Sequence, residues 1–205
     1  MKTTILTLAT ISSIVLGIGT KSFAAVKDSA AKSTAEVSTV LNNVSKISKI
    51  EVRGNVELFV SDGDADQVKV YNKYYEESAM VQSQNGVLRI TSYADQKLVV
   101  WIKAADLRAI NAYDNAEVKS FGKLSPMELD VTLHNNASAK LNLDAYSANV
   151  TVNDHATADL SGTASEVSLK HDVTASVNKY NLKAERITEN KVLPTHGKEQ
   201  DMATL

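Results

Sequence analysis

Leu129-Asp130-Val131-Thr132-Leu133-His134-Asn135-Asn136-Ala137-Ser138-Ala139-Lys140-Leu141-Asn142-Leu143 is the stretch on which the fold turns. Apolar and polar residues alternate on both sides of a polar triplet, and period two sends every second side chain to one face of an extended strand. The triplet His134-Asn135-Asn136 has no natural partners in an apolar core, so it reads as a corner between two walls. The same arrangement recurs as Val150, Val152, Asn153-Asp154-His155, Ala156, Ala158, Leu160, and as Val167, Leu169, Lys170-His171-Asp172, Val173, Ala175, Val177. A less regular copy precedes them as Ile110, Ala112, Tyr113-Asp114-Asn115, Ala116, Val118. From Ala116 to Ala137 to Ala156 to Val173 the copies recur at intervals of roughly twenty positions, shortening slightly along the chain, and a period of that size marks a stacked repeat.

The expected fold is therefore all-β: a β-solenoid or β-helix-like coil of short strands, with about four repeats of 17–21 residues, preceded by antiparallel or coiled strands. A wall of five residues spans roughly 16 Å, which makes the coil narrow. Equivalent residues should stack in columns, with Ala116, Ala137, Ala156 and Val173 at the corner and Leu141, Leu160 and Val177 deeper in the wall. Asn, Asp and His are the non-glycine residues that most readily take positive φ, so Asn136, His155 and Asp172 are the expected turning residues.

Outward from the repeats, every even position from Ile50 to Val60 is apolar or Gly while most odd ones are polar, which predicts a strand with one buried face. Gly54 within it suggests a bend or a close backbone approach. Ser61-Asp62-Gly63-Asp64 reads as a turn, Gln67–Tyr71 as a strand, Asn85-Gly86 as a tight hairpin, and Val87–Thr91 and Leu98–Lys103 as further strands. Leu98–Ile102 is apolar throughout, so both of its faces should be covered. Beyond the repeats, Tyr180, Leu182, Ala184 and Ile187 continue the apolar alternation, and residues 188–205 lose period and read as a disordered tail.

At the other terminus, Lys2, an apolar run from Ile5 to Ile18 and the small residues Ser22 and Ala24 have the form of an export signal over residues 1–24. Residues 25–46 suit a linker, although Ser33, Glu36, Val37, Val40, Leu41 and Val44 carry the spacing of a short capped helix. No second apolar span follows, so the mature chain is expected to have no transmembrane segment. Loss of residues 1–24 removes Lys2 and Lys21 and takes the formal charge from −2 to −4, the opposite of the clustered basic face that nucleic acid requires. The chain has no cysteine, which removes disulfides, a thiolate metal cage and a lipoprotein anchor. Nothing in the pattern fixes an oligomeric state.

Three of the four histidines, His134, His155 and His171, lie in or beside one corner together with Asp114, Asn115, Asn136, Asp154 and Asp172. Imidazole with carboxylate is zinc or nickel chemistry. The histidines hold different places within their triplets, however, and Asn, Asp and His populate corners for backbone reasons alone. These residues are therefore surface candidates, and no metal or cofactor is assigned to them. Tyr71, Tyr74, Tyr75 and Trp101 form a second group, suited either to an aromatic platform for a sugar or, more plainly, to the rim of a core with the polar ends wet. Glu76 and Glu77 are adjacent and would face opposite ways on a strand, so they are not a catalytic pair. Sequons at Asn43, Asn136 and Asn149 matter only in a eukaryotic secretory route. Repeats this short leave no insertion with which to build a cleft, and no nucleophile elbow, phosphate loop or metal triad is present. A small carbohydrate-active or metal-dependent enzyme is thus the secondary reading.

The run Ile47-x-x-Ile50-x-Val52-x-Gly54-Asn55-Val56-Glu57-Leu58, followed by Gly63-Asp64, Leu88-x-Ile90, Leu107-x-x-Ile110 and the repeats, resembles the family described as putative auto-transporter adhesin, head GIN domain, over about residues 47–187. Where that family has Gly-x-Gly at its corners, this chain has Asn115-Ala116, Asn136-Ala137-Ser138-Ala139, His155-Ala156-Thr157-Ala158 and Asp172-Val173-Thr174-Ala175. The resemblance implies an exported protein of a Bacteroidetes-type envelope, located in the periplasm, on the outer surface or secreted. It also implies non-catalytic work as an adhesin-like or scaffold module whose partner is a glycan or an envelope or surface protein. It carries over no catalytic residue.

Overall fold

The computed structural model describes residues 38–41, 44, 46–71 and 79–193. Those residues form thirteen β-strands and no helix: β1 Ser38–Leu41, β2 Lys49–Gly54, β3 Val56–Asp62, β4 Gln67–Tyr71, β5 Ala79–Gln84, β6 Val87–Ser92, β7 Leu98–Ala104, β8 Ala109–Tyr113, β9 Glu117–Ser120, β10 Glu128–Leu133, β11 Ser138–Val152, β12 Thr157–Asp172 and β13 Ser176–Val192. All thirteen belong to one sheet. Its inward-facing side chains make a single core, so the sheet curls round one buried face.

Alternation in sequence becomes alternation in burial. Val56, Leu58 and Val60 in β3, Leu129, Val131 and Leu133 in β10, and Ala139, Leu141 and Leu143 in β11 are all buried, while their neighbours face out. Each fully buried Val or Leu contributes about 1.5–3 kcal/mol relative to an exposed one, and this drives the curl. Parallel pairing then places chemically equivalent residues side by side. Ile110 pairs with Val131, Val131 with Val150 and Val150 with Leu169, so each residue lies beside one about twenty positions along the chain. On the second wall Val118 pairs with Ala139, Ala139 with Ala158 and Ala158 with Val177.

The last of these pairings corrects the expected register. Ser176 donates its backbone N–H to Ala156, just as Thr157 does to Ala137 and Ser138 to Ala116. Ala175, and not Val173, therefore continues the corner column. The final step, Ala156 to Ala175, then equals the one before it, Ala137 to Ala156, and the repeat no longer shortens at its last step. Val173 is 38% exposed. The segment expected to be a disordered tail is also partly ordered, since β13 runs to Val192 and pairs with β12 along its length.

On the N-terminal side, β2 and β3 already share the parallel register, pairing with β8 and β9. Beyond them β4 adds to β7, β1 to β4 and β5 to β6, all antiparallel. Val40 and Leu41, which carried the helical spacing, lie in β1 instead, where Leu41 pairs with Val68. The leader and most of the 25–46 segment lie outside the described residues. Gly54 makes the close backbone approach that was one of its two expected roles: a Cβ there would sit 2.1 Å from the Ser92 carbonyl oxygen, and its φ is +82°. The Asn85-Gly86 hairpin has positive φ at both residues.

The far end of the core is closed by charge. A bulge makes Lys179 and Tyr180 together face Leu160, and Glu189 pairs with the buried Leu169. Lys179 and Glu189 form an ion pair with each other, and His171 Nε2 lies 3.2 Å from a Glu189 oxygen. Among the described residues β13 pairs only with β12, and a charged pair on its core-facing side discourages edge-to-edge association there.

Candidate functional site

Between the walls every corner holds four residues, because Ala112 pairs with Leu133 and Val152 follows in the same column, and Glu117 precedes Ser138 and Thr157 in register. The first column is Tyr113, His134, Asn153 and Asp172. The second is Asp114, Asn135, Asp154 and Val173, and the third is Asn115, Asn136, His155 and Thr174. Positive φ falls on the second column, at Asp114 (62°), Asn135 (59°) and Asp154 (57°). It does not fall on Asn136, His155 or Asp172, so the expected turning residues were misplaced within their corners.

These second-column side chains also brace the turns. Asn135 Oδ1 accepts the Asp114 N–H at 3.2 Å, and Asp154 Oδ2 accepts the Asn135 N–H at 2.8 Å. Val173 cannot continue the ladder, and Asp172 takes over by accepting the Asp154 N–H at 2.8 Å. Tyr93 donates its hydroxyl to Asp114 Oδ2 at 2.9 Å, and that bond holds the phenol above its usual range.

The register separates the three histidines. His134 stacks on Tyr113, with ring centroids 4.9 Å apart and planes 2° from parallel, and the Arg53 guanidinium lies 3.7 Å from the centre of the same Tyr113 ring. Asn153 Nδ2 sits 3.3 Å from His134 Nδ1. His155 is exposed in the third column, and His171 pairs with Val152 on the wall. Among the described residues no three His, Asp or Glu side chains are grouped to hold a metal ion.

A different constellation lies on the outer face of the sheet. Trp101 in β7 pairs with Phe59 in β3 and with Lys69 in β4, and all three point away from the core. Phe59 and Trp101 stack at 4.6 Å with planes 22° apart. Phe121 tilts against Trp101 at 5.1 Å and 59°, and Tyr71 meets it edge-on at 6.5 Å. Phe121 remains 62% exposed. Carboxylates and ammonium groups rim these rings: Lys119 bonds Glu57 and Glu117, and Lys97 bonds Glu117. The Lys97 bond, aided by Lys119, holds the Glu117 carboxyl below its usual range, and Glu57 raises the Lys119 ammonium.

Of the aromatic candidates in the sequence, Trp101 and Tyr71 join this cluster, while Tyr74 and Tyr75 lie outside the described residues. Sequence reasoning missed Phe59 and Phe121. Phe59 did leave a signal, as the one apolar residue at an odd position in the run from Ile50 to Val60. Phe121 left none, because it sits in a loop whose approach to Trp101 depends on β9 pairing with β3.

Comparison with solved structures finds the same fold in a protein described as a putative adhesin from Bacteroides fragilis NCTC 9343, with a TM-score of 0.67 and 15% identity over 77% of this chain and 76% of that one. A putative adhesin from Parabacteroides distasonis ATCC 8503 superposes with a TM-score of 0.59 at 14% identity, covering 77% of this chain and 78% of the other. A protein from the same Parabacteroides strain, described as a putative lipid binding protein, gives 0.57 at 9% identity over 76% and 78%. A search of curated proteins finds no match. The family described as putative auto-transporter adhesin, head GIN domain, matches residues 46–191, and the chain belongs to it.

Proposed function

We propose that the chain is a β-solenoid that works as a non-catalytic binding module of the bacterial envelope, exported by the leader at residues 1–24. Its contact surface is the outer-face cluster of Phe59, Trp101, Phe121 and Tyr71. One observation carries this reading: the tightest group of aromatic rings in the described residues stands on the outside of the sheet, where it adds nothing to the core. Aromatic rings clustered on a surface and rimmed by polar groups are the usual composition of a contact site. The regular parallel stacking of Ile110, Val131, Val150 and Leu169 supports the solenoid description, because each turn buries its inner face only against its neighbours. The family description, and neighbours described as adhesins, support attachment to a glycan or a surface protein outside the cell.

The corners fit this reading as scaffold. The side chains of Asn135, Asp154 and Asp172 are occupied in bracing backbone N–H groups, and the histidines do not converge. Purified chain should bind isolated cell envelopes saturably, and Phe121→Ala should weaken that binding without shifting the thermal midpoint, since Phe121 is mostly outside the fold's interior. Unchanged envelope binding by Phe121→Ala and Phe59→Ala would remove the cluster from the function.

A further inference from the structure

We propose that the Phe59–Trp101–Phe121 cluster is a carbohydrate subsite that stacks a neutral pyranose ring. This rests on the binding-module reading above and narrows the partner to one class. Ring geometry is the first reason. Phe59 and Trp101 are close to parallel, whereas Phe121 is inclined to Trp101 by 59°, so the exposed Phe121 ring and the Trp101 edge form an open apolar angle on the outer sheet face. A pyranose has an apolar C–H face and a rim of hydroxyls. It can lay that face on an aromatic ring without needing a deep pocket.

The polar surroundings supply the second reason. Hydroxyl groups need donors and acceptors in alternation, and the rim offers both in the paired Glu57, Lys119, Glu117 and Lys97. Those four charges cancel in pairs and leave the single ammonium of Lys69 beside Trp101, so the rim is nearly balanced and suits a neutral sugar. An acyl chain is a poorer fit, since it requires an enclosed apolar space. An open cleft elsewhere is lined by Lys46, Ser48, Asp66, Asn85, Gly86 and Asp106, none of which has a large apolar side chain to hold an acyl chain.

Trp101 is the only tryptophan in the chain, so its emission reports on this cluster alone. Full-length protein titrated with maltohexaose, cellohexaose, mannohexaose and a galacto-oligosaccharide should show a saturable emission change with at least one of them. Phe121→Ala should weaken that affinity about tenfold, the scale of one lost stacking contact, and Phe121→Tyr should restore most of it. An oligosaccharide that binds equally well to wild type and Phe121→Ala overturns the subsite. If no oligosaccharide moves the emission while envelope binding persists and still depends on Phe121, the partner is not a sugar and the inference fails, although the binding-module reading survives. If envelope binding is itself independent of the cluster, both fail.

Discussion

Asp154 offers a direct test of which corner residue the fold depends on. Its φ of 57° lies in the left-handed region, its Oδ2 accepts the Asn135 N–H at 2.8 Å, and its own N–H is held by Asp172. Asp154→Val loses the accepted bond, about 1 kcal/mol for an exposed site, and places a β-branched residue at positive φ, about 1–2 kcal/mol more. The expected loss is about 2–3 kcal/mol from the two together. Asp154→Gly loses the same bond but relieves the backbone, so the two effects largely offset and the net change should stay within about 1 kcal/mol. His155 is exposed and is not among the positive-φ residues, so His155→Val should cost no more than about 0.5 kcal/mol. Urea unfolding followed by far-UV circular dichroism at constant m-value measures all three. Equal destabilisation by the two valine variants would refute the assignment of the turn to the second column.

Other substitutions probe the core, the backbone and the surface charges. Leu141→Ala removes a fully buried side chain paired with Leu160 and flanked by Ala139 and Ala158, which are too small to fill the gap; it should cost about 2–5 kcal/mol in the same melts, against about 0.5 kcal/mol or less for the exposed Lys140→Ala. Gly162→Ala should be among the most damaging small changes, because φ is +96° and a Cβ would sit 2.0 Å from the Leu143 carbonyl oxygen; soluble protein with a wild-type melting temperature would contradict the close approach of β11 and β12 there. Glu51 has its pKa lowered by its bonds to Lys49 and then Arg89, so its stabilising contribution is complete above the ordinary value of 4.5 and fades as pH falls through the lowered folded value. The drop in urea midpoint between about pH 7 and about pH 3 should accordingly be smaller in Glu51→Gln than in wild type, and an equal drop would show that the pair carries no linkage.

The corner residues and the outer-face aromatics were legible to different degrees. Polar triplets marked the first three corners, and the second and third copies were read in correct register from their alternation alone. The fourth was not, since Val173 and Ala175 both have the right parity and either could have headed the wall. Helical spacing at Val40 and Leu41 was overridden by the open edge of β4, whose backbone groups pair with β1. Trp101 was singled out as an aromatic candidate, yet its partners Phe59 and Phe121 come from a distant strand and from a loop. Only the pairing of β7 with β3 and of β3 with β9 brings them together.

What the sequence by itself determined is the inward or outward sense of nearly every strand residue, because that depends on local alternation and a single-residue slip would turn an entire wall inside out. A slip of two residues preserves that sense. The choice between such registers was therefore left to contacts between strands, namely the Ser176 bond to Ala156 that sets the last pairing and the Asn135, Asp154 and Asp172 ladder that braces the turning residue at the first three corners. The outer aromatic cluster belongs to the same class of fact. No local preference draws Phe59, Trp101 and Phe121 together, and they meet because the buried faces of their strands fix the pairing behind them.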